Sequence, residues 1–230
     1  MNVLSSIIGK KVGMTTIFDE KGQIVPVTVI EAGPMVVTQV KTPEKDKYSA
    51  VQVGFGEKKL QRAKKAEVGH LKKANTAPKK VLSEIRVKAA DLEKFNAGQV
   101  INLGDLGFKG GDFVDVIGQS IGKGFAGVVK RHHFHPGPEA HGAHEYKRHA
   151  GSIGTNTTPG RTRKGLRMAG HMGAEKVTVQ NLKVVEVRPD DNLILIMGAV
   201  PGHKNGYVTV RVAKKKAAKA AAKAAKSDKS

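Results

Sequence analysis

The sequence predicts a mainly β protein interrupted by one long, irregular, cationic insertion, and three observations carry that prediction. Four strand-like runs, each closed by turn residues, fall within the first 55 residues, the spacing of a barrel or sandwich rather than of β-α-β units. Strand patterning resumes at Val177 after a stretch, residues 121–176, with almost no core-forming side chains. The formal charge of +20 is concentrated in three segments instead of being spread over the chain.

Lys11–Phe18 (KVGMTTIF) is β-rich, and Asp19-Glu20-Lys21-Gly22 supplies turn chemistry that returns the chain into Ile24–Ile30 as a hairpin. In that second run Ile24, Pro26, Thr28 and Ile30 share one face and Val25, Val27 and Val29 the other. Pro26 has no N–H for a ladder bond, so it is expected at an edge or a bulge. Gly33-Pro34 breaks the pattern before Met35–Lys41, and a polar loop over residues 43–47 leads into Ala50–Phe55. Residues 63–74 are expected to form a short helix with a lysine-lined exposed face, which Asn75 and Pro78 help to end. Val81–Val87 alternates like a strand, Asp91–Phe95 reads as one helical turn, and Gly98–Leu103 and Phe113–Ile117 complete the first block. After the insertion, β patterning resumes at Val177–Val179 and continues through Val184–Val187; a turn at Pro189–Asn192 follows, then strands are expected at Leu193–Met197 and Tyr207–Val212.

Residues 57–90 carry a net +8, residues 121–176 a net +7 and residues 214–230 a net +6, which leaves −1 for everything else. A neutral body with three cationic attachments implies a polyanionic partner. The insertion holds eleven of the 27 glycines. A segment with so few apolar side chains cannot enclose a core and should be loose in water. Its glycines permit close backbone approach and its cations neutralise phosphates, so it is expected to become ordered against nucleic acid. The Ala/Lys tail over 214–230 lacks an apolar face and is expected to be disordered until it meets an anion.

Other function classes find little support. No apolar run reaches the 18 residues of a membrane span, and the N-terminus lacks a signal-peptide hydrophobic region, so a cytoplasmic protein is expected. Cys is 0, which removes disulfides, thiolate nucleophiles and cysteine metal sites. Gly118–Gly124 (GQSIGKG) fails the phosphate-loop spacing, and Gly151-Ser152-Ile153-Gly154 is not a nucleophile elbow. Glu31, Asp112 and Asp115 are unpaired carboxylates beside strands, expected to keep a sheet soluble, so no enzyme is expected. Six histidines between His132 and His149 make a zinc- or nickel-binding accessory protein the rival reading, but no helix or rigid surrounding shell is apparent to hold them. The aromatic fraction is 4%, with no Trp, so bases are not expected to stack along the sheet; phosphates, 2′-hydroxyls and shape are the expected targets.

Several runs resemble a known family as a set, in order and at the right spacing: residues 8–15 (IGKKVGMT), 26–31 (PVTVIE), 122–127 (GKGFAG), 151–154 (GSIG), 158–160 (TPG), 168–173 (MAGHMG) and 177–182 (VTVQNL). Together they closely resemble the bacterial form of large-subunit ribosomal protein three, over about residues 8–212. The resemblance implies a six-stranded Greek-key barrel of the translation-protein type with a long, mostly irregular central extension; the basic, disordered tail beyond Val212 matches no part of the family core. With the charge partition, one discontinuous domain is expected over 1–213, with its barrel core in about 8–120 and 177–213, a basic excursion over 57–90 and an RNA-penetrating extension over 121–176, followed by the Ala/Lys tail at 214–230.

The implied function is that of a structural constituent of the large ribosomal subunit. It binds 23S rRNA near the 3′ end, nucleates assembly, touches neighbouring large-subunit proteins and sends the extension toward the peptidyl-transferase centre. No cofactor, membrane or small-molecule substrate is implied. The tip would be Gly151–Gly160, with Asn156 nearest the centre and Arg161, Arg163, Lys164 and Arg167 on RNA backbone. Ser152, Thr155, Thr157 and His171 join them as candidate rRNA-binding residues, with Lys10, Lys11, Lys123, Lys130, Arg131, His132, His133, Lys147 and Arg148. Thr157 replaces a glutamine that is methylated in some members, and His132-His133-Phe134 replaces Trp-Asn-Phe.

Overall fold

The structure, a computed structural model, describes residues 4–216. The tail expected over 214–230 therefore lies mostly outside the described residues. The chain divides into two compact units, one comprising the chain up to Gln119 together with the segment from Lys176 onward, the other Ser120–Glu175.

In the first unit, β1 (Ser6–Phe18) and β2 (Ile24–Ala32) form the expected hairpin, with Phe18 opposite Ile24. β1 begins five residues earlier than its sequence pattern suggests, because Ser6, Ile7 and Ile8 are buried and pair with the last strand. Four strands follow: β3 (Met35–Lys41), β4 (Ala50–Glu57), β5 (Lys79–Arg86) and β6 (Val100–Ile101). A short helix, α1 (Pro43–Asp46), stands where a loop was expected, since Pro43 presets the first helical turn. The helix expected at 63–74 is α2 (Lys65–Lys72), with Leu71 buried beneath it. The unit is completed by β7 (Phe113–Gln119), β10 (Lys176–Arg188), β11 (Leu193–Met197) and β12 (Tyr207–Val212), numbering that leaves β8 and β9 for the second unit.

Six of these strands close into an antiparallel barrel in the order β1-β12-β7-β10-β11-β2. Closure removes the exposed edges that an open sheet would present. The strands between Met35 and Ile101 stay out of the barrel and make their own sheet, ordered β5-β4-β3-β6. Alternation shows that a run is a strand but not which sheet receives it. Barrel and sheet share one core: Ile7, Ile30, Val116, Ile194, Ile196 and Val210 from the barrel meet Met35, Val37, Val51 and Val53 from the sheet in a single cluster.

Two local features explain themselves. The Gly198 N–H donates to the Pro26 carbonyl at 2.9 Å, so Pro26 faces the point where β11 has just ended at Met197 and its missing N–H leaves no gap in the ladder. At Gly9 an added Cβ would lie 2.6 Å from Ile30 Cγ2 and 2.8 Å from the Glu31 carbonyl oxygen. β1 can approach β2 this closely only without a side chain there.

One expectation is overturned. Asp115 is not an exposed carboxylate: it is 2% exposed, accepts the Asn181 N–H at 3.1 Å and lies 3.3 Å from Arg211 Nη2. The β7–β10 register shifts between Val179 and Leu182, opposite this acid. β10 runs unbroken through Gln180–Lys183, as the β patterning that continues from Val177 through Val187 suggests, and the Asp115 carboxylate satisfies the N–H that the bulge frees.

Candidate nucleic-acid interface

The second unit is an insertion between two paired strands. Gln119 and Lys176 are register partners at the ends of β7 and β10. Within the unit the Ser120 N–H donates to the Glu175 carbonyl at 2.8 Å, and the Glu175 N–H donates to Ser120 Oγ at 3.2 Å. The two arms then form a small ribbon, β8 (Gly124–Ala126) against β9 (Gly170–Met172), with Phe125 opposite His171.

Gly127 leads into α3 (Val128–His132), whose last turn carries Lys130, Arg131 and His132, and His133 ends it in the left-handed conformation. Cations at a helix C-terminus complement its dipole. Arg131 Nη1 donates to the Met168 carbonyl at 2.8 Å and His132 Nε2 to the same oxygen at 3.0 Å, so both side chains fasten the returning arm. Farther out, Lys147 pairs with Glu139 at 2.9 Å. The tip is held by its own hydroxyls: Thr155 Oγ1 donates to the Thr158 carbonyl at 2.9 Å and Ser152 Oγ to the Gly154 carbonyl at 3.0 Å. Asn156 has φ 70, a left-handed position that asparagine tolerates.

Burial is the property that distinguishes this unit. Between Ser120 and Glu175 only Ala126 and Val128 are buried, and every residue from Gly151 to Ala169 is exposed. Lys123, Lys130, Arg148, Arg161, Arg163, Lys164 and Arg167 are all exposed, as are Ser152, Thr155, Asn156, Thr157, His133 and His171. Sequence reasoning passed over the apolar members of the same surface: Phe125 is 80% exposed, Tyr146 71% and Ile153 56%. The signal for them was the missing core itself, since large side chains in a segment with nothing to pack against must face outward.

The remaining candidates sit on β1, in the first unit. Lys10 is opposite Glu31, with Nζ 3.9 Å from the carboxylate. Lys11 Nζ donates to the carbonyls of Val200 (2.9 Å) and Gly202 (3.1 Å), which ties down the loop before β12. Among the described residues no three His, Asp or Glu side chains are grouped so as to hold a metal ion, and no helix is long and apolar enough to cross a membrane.

The chain that carries this cationic unit matches known proteins along nearly its full sequence. The family model described as Ribosomal protein L3 matches residues 57–192. The chain is 52% identical over 210 residues to the large ribosomal subunit protein uL3 of Brachyspira hyodysenteriae, covering 91% of this chain and 94% of the relative. It is 53% identical over 213 residues to uL3 of Herpetosiphon aurantiacus (93% and 98% covered) and 51% over 216 residues to uL3 of Cutibacterium acnes (94% and 95% covered).

The chain belongs to the ribosomal protein L3 family.

This is a family of structural ribosomal proteins, not of enzymes. Membership fits the cations exposed along residues 120–175. The family match spans both the basic excursion and the insertion, so each is part of the L3 sequence pattern.

Proposed function

We propose that the chain is a structural constituent of the large ribosomal subunit that binds 23S rRNA near its 3′ end and nucleates assembly. Its extension, residues 121–176, enters the rRNA toward the peptidyl-transferase centre, while the barrel lies at the periphery beside neighbouring large-subunit proteins. One observation carries this reading: residues 120–175 bury only Ala126 and Val128 while exposing most of their cations. A segment so constructed gains almost nothing from folding on itself, and much from neutralising phosphates and threading glycines between packed RNA helices. Arg161, Arg163, Lys164 and Arg167 contact backbone, and the Ser152–Thr157 loop lies nearest the catalytic RNA. Lys10 contributes from the barrel. Arg131, His132 and Lys11 act chiefly by holding the protein's own backbone in place.

Sedimentation of the tagged chain through high-salt sucrose tests this. Co-migration with large subunits is expected for the whole chain, and its loss is expected when residues 121–176 are replaced by a short Gly/Ser linker. Co-migration unaffected by that replacement contradicts the role given to the extension. The histidine-rich metal-binding alternative has no geometric support among the described residues.

A further inference from the structure

We propose that the four-stranded sheet carries a second RNA contact, a pocket that takes one unstacked nucleotide with its phosphate on Lys73. The inference rests on the rRNA-binding reading and assigns a site outside the extension. A cavity of about 410 Å³ is lined by Thr38 and Val40 of β3, His70 and Lys73 from α2 and its end, and Phe95 and Asn96 from the turn before β6. It exists because β3 outruns its neighbour. β6 pairs only with Met35 and Val36, whereas β3 continues to Lys41 with no further strand on that side among the described residues.

The chemistry of the lining is that of a nucleotide. Val40, half-buried, and the 9% of Phe95 left outside the core form the apolar floor under a base. Asn96 offers a donor and an acceptor together, the pairing that matches the N6/N7 edge of adenine. One wall is rigid: Thr38 Oγ1 donates to Gln52 Oε1 at 2.8 Å, and His70 Nε2 lies 2.7 Å from the same oxygen. An amide oxygen only accepts, so His70 Nε2 is the donor in this contact. Lys73 is exposed beside Lys72, within the excursion whose net charge is +8. A neutral metabolite would have no use for that charge, while an RNA strand supplies both the base and the phosphates around it. Sequence-specific RNA recognition works on such splayed-out bases.

The test uses the full chain and two RNA hairpins that differ only by a single bulged adenosine. Wild type is expected to bind the bulged hairpin about tenfold more tightly, the value of one base contact. Ala97→Trp, which fills the cavity from an exposed position, and the double variant Lys73→Ala/Asn96→Ala are each expected to bring the ratio to one. Alanine at Arg161, Arg163, Lys164 and Arg167 together should weaken both hairpins and keep the ratio. A wild-type ratio of one, with binding to 23S rRNA transcripts retained, overturns the pocket and leaves the ribosomal reading standing. A ratio that survives both pocket variants overturns it as well, and failure to bind any RNA overturns both readings.

Discussion

The Arg131 guanidinium donates a 2.8 Å hydrogen bond to the carbonyl of Met168, 37 residues along the chain. Gly170 accommodates it, because a Cβ there would lie 2.7 Å from Nη1. The outgoing and returning arms of the extension are thus latched beside the β8–β9 ribbon. Arg131→Ala should cost the latch about 0.5–1.5 kcal/mol, the net worth of one such bond. Faster amide exchange over residues 168–172 with an unchanged barrel melting temperature is the expected signature. A large fall in global stability would show that Arg131 supports more than this ribbon.

Two glycines should respond in opposite ways to alanine. At Gly9 the added methyl collides with Ile30 and the Glu31 backbone, so the barrel should lose about 1–3 kcal/mol, as overpacked sites do. At Gly154 a Cβ meets nothing within 4 Å and φ is not positive, so denaturant melts should coincide with wild type. If RNA lies against that backbone, Gly154→Ala should nevertheless impair incorporation into large subunits. Normal incorporation would show that the loop is not closely packed by RNA.

Affinity for 23S rRNA should fall steeply with salt, by about 0.7–0.9 log units per log unit of salt for each phosphate neutralised. Alanine at Arg161, Arg163, Lys164 and Arg167 should flatten the slope by roughly 3 if each faces a phosphate. Filter binding across a salt series measures this directly. An unchanged slope in the fourfold variant would remove these cations from the interface.

Glu84 on β5 lies 2.7 Å from Lys41 Nζ and accepts a 2.7 Å hydrogen bond from Tyr48 Oη. The Lys41 ammonium and then the Tyr48 hydroxyl hold its carboxyl below the usual value of 4.5, and the same pairing raises Lys41. A depressed folded-state pKa stabilises the fold above pH 4.5, and that contribution disappears as the pH falls through the lower, folded-state value. Wild type should therefore exceed Glu84→Gln in urea stability at neutral pH, with the gap closing in acid. A gap that persists at low pH would assign the effect to packing rather than charge.

Replacing Asn156 and Thr157 at the tip should leave the barrel intact, since both are fully outside its core. Peptidyl transfer or sensitivity to drugs bound nearby should change in reconstituted subunits. Wild-type translation and drug response in the double variant would move the tip away from the catalytic RNA.

The strands were legible because alternation and turn residues are local signals, as in Ile24–Ile30 and its Asp19–Gly22 turn. The sorting of strands was not: nothing in Met35–Lys41 distinguishes a barrel strand from a member of a separate sheet, because the choice depends on pairing partners far along the chain. The bulge at Asn181 was not legible for the same reason, since Asp115, its partner, lies 66 residues away. At the candidate interface, charge identified the segment but not the work of each cation. Lys11 and Arg131, candidate phosphate ligands by sequence, each also donate to carbonyls of this protein, a second use that charge alone does not show.

Hydrogen exchange of the chain, free and assembled into large subunits, tests the division of labour most directly. Amides of Val116 and Ile194 in the barrel should be protected in both states, whereas those over 151–169 should exchange rapidly in the free chain and slowly in the subunit. Equal protection of 151–169 in the free chain would mean that this segment holds its structure without RNA, and would contradict the account.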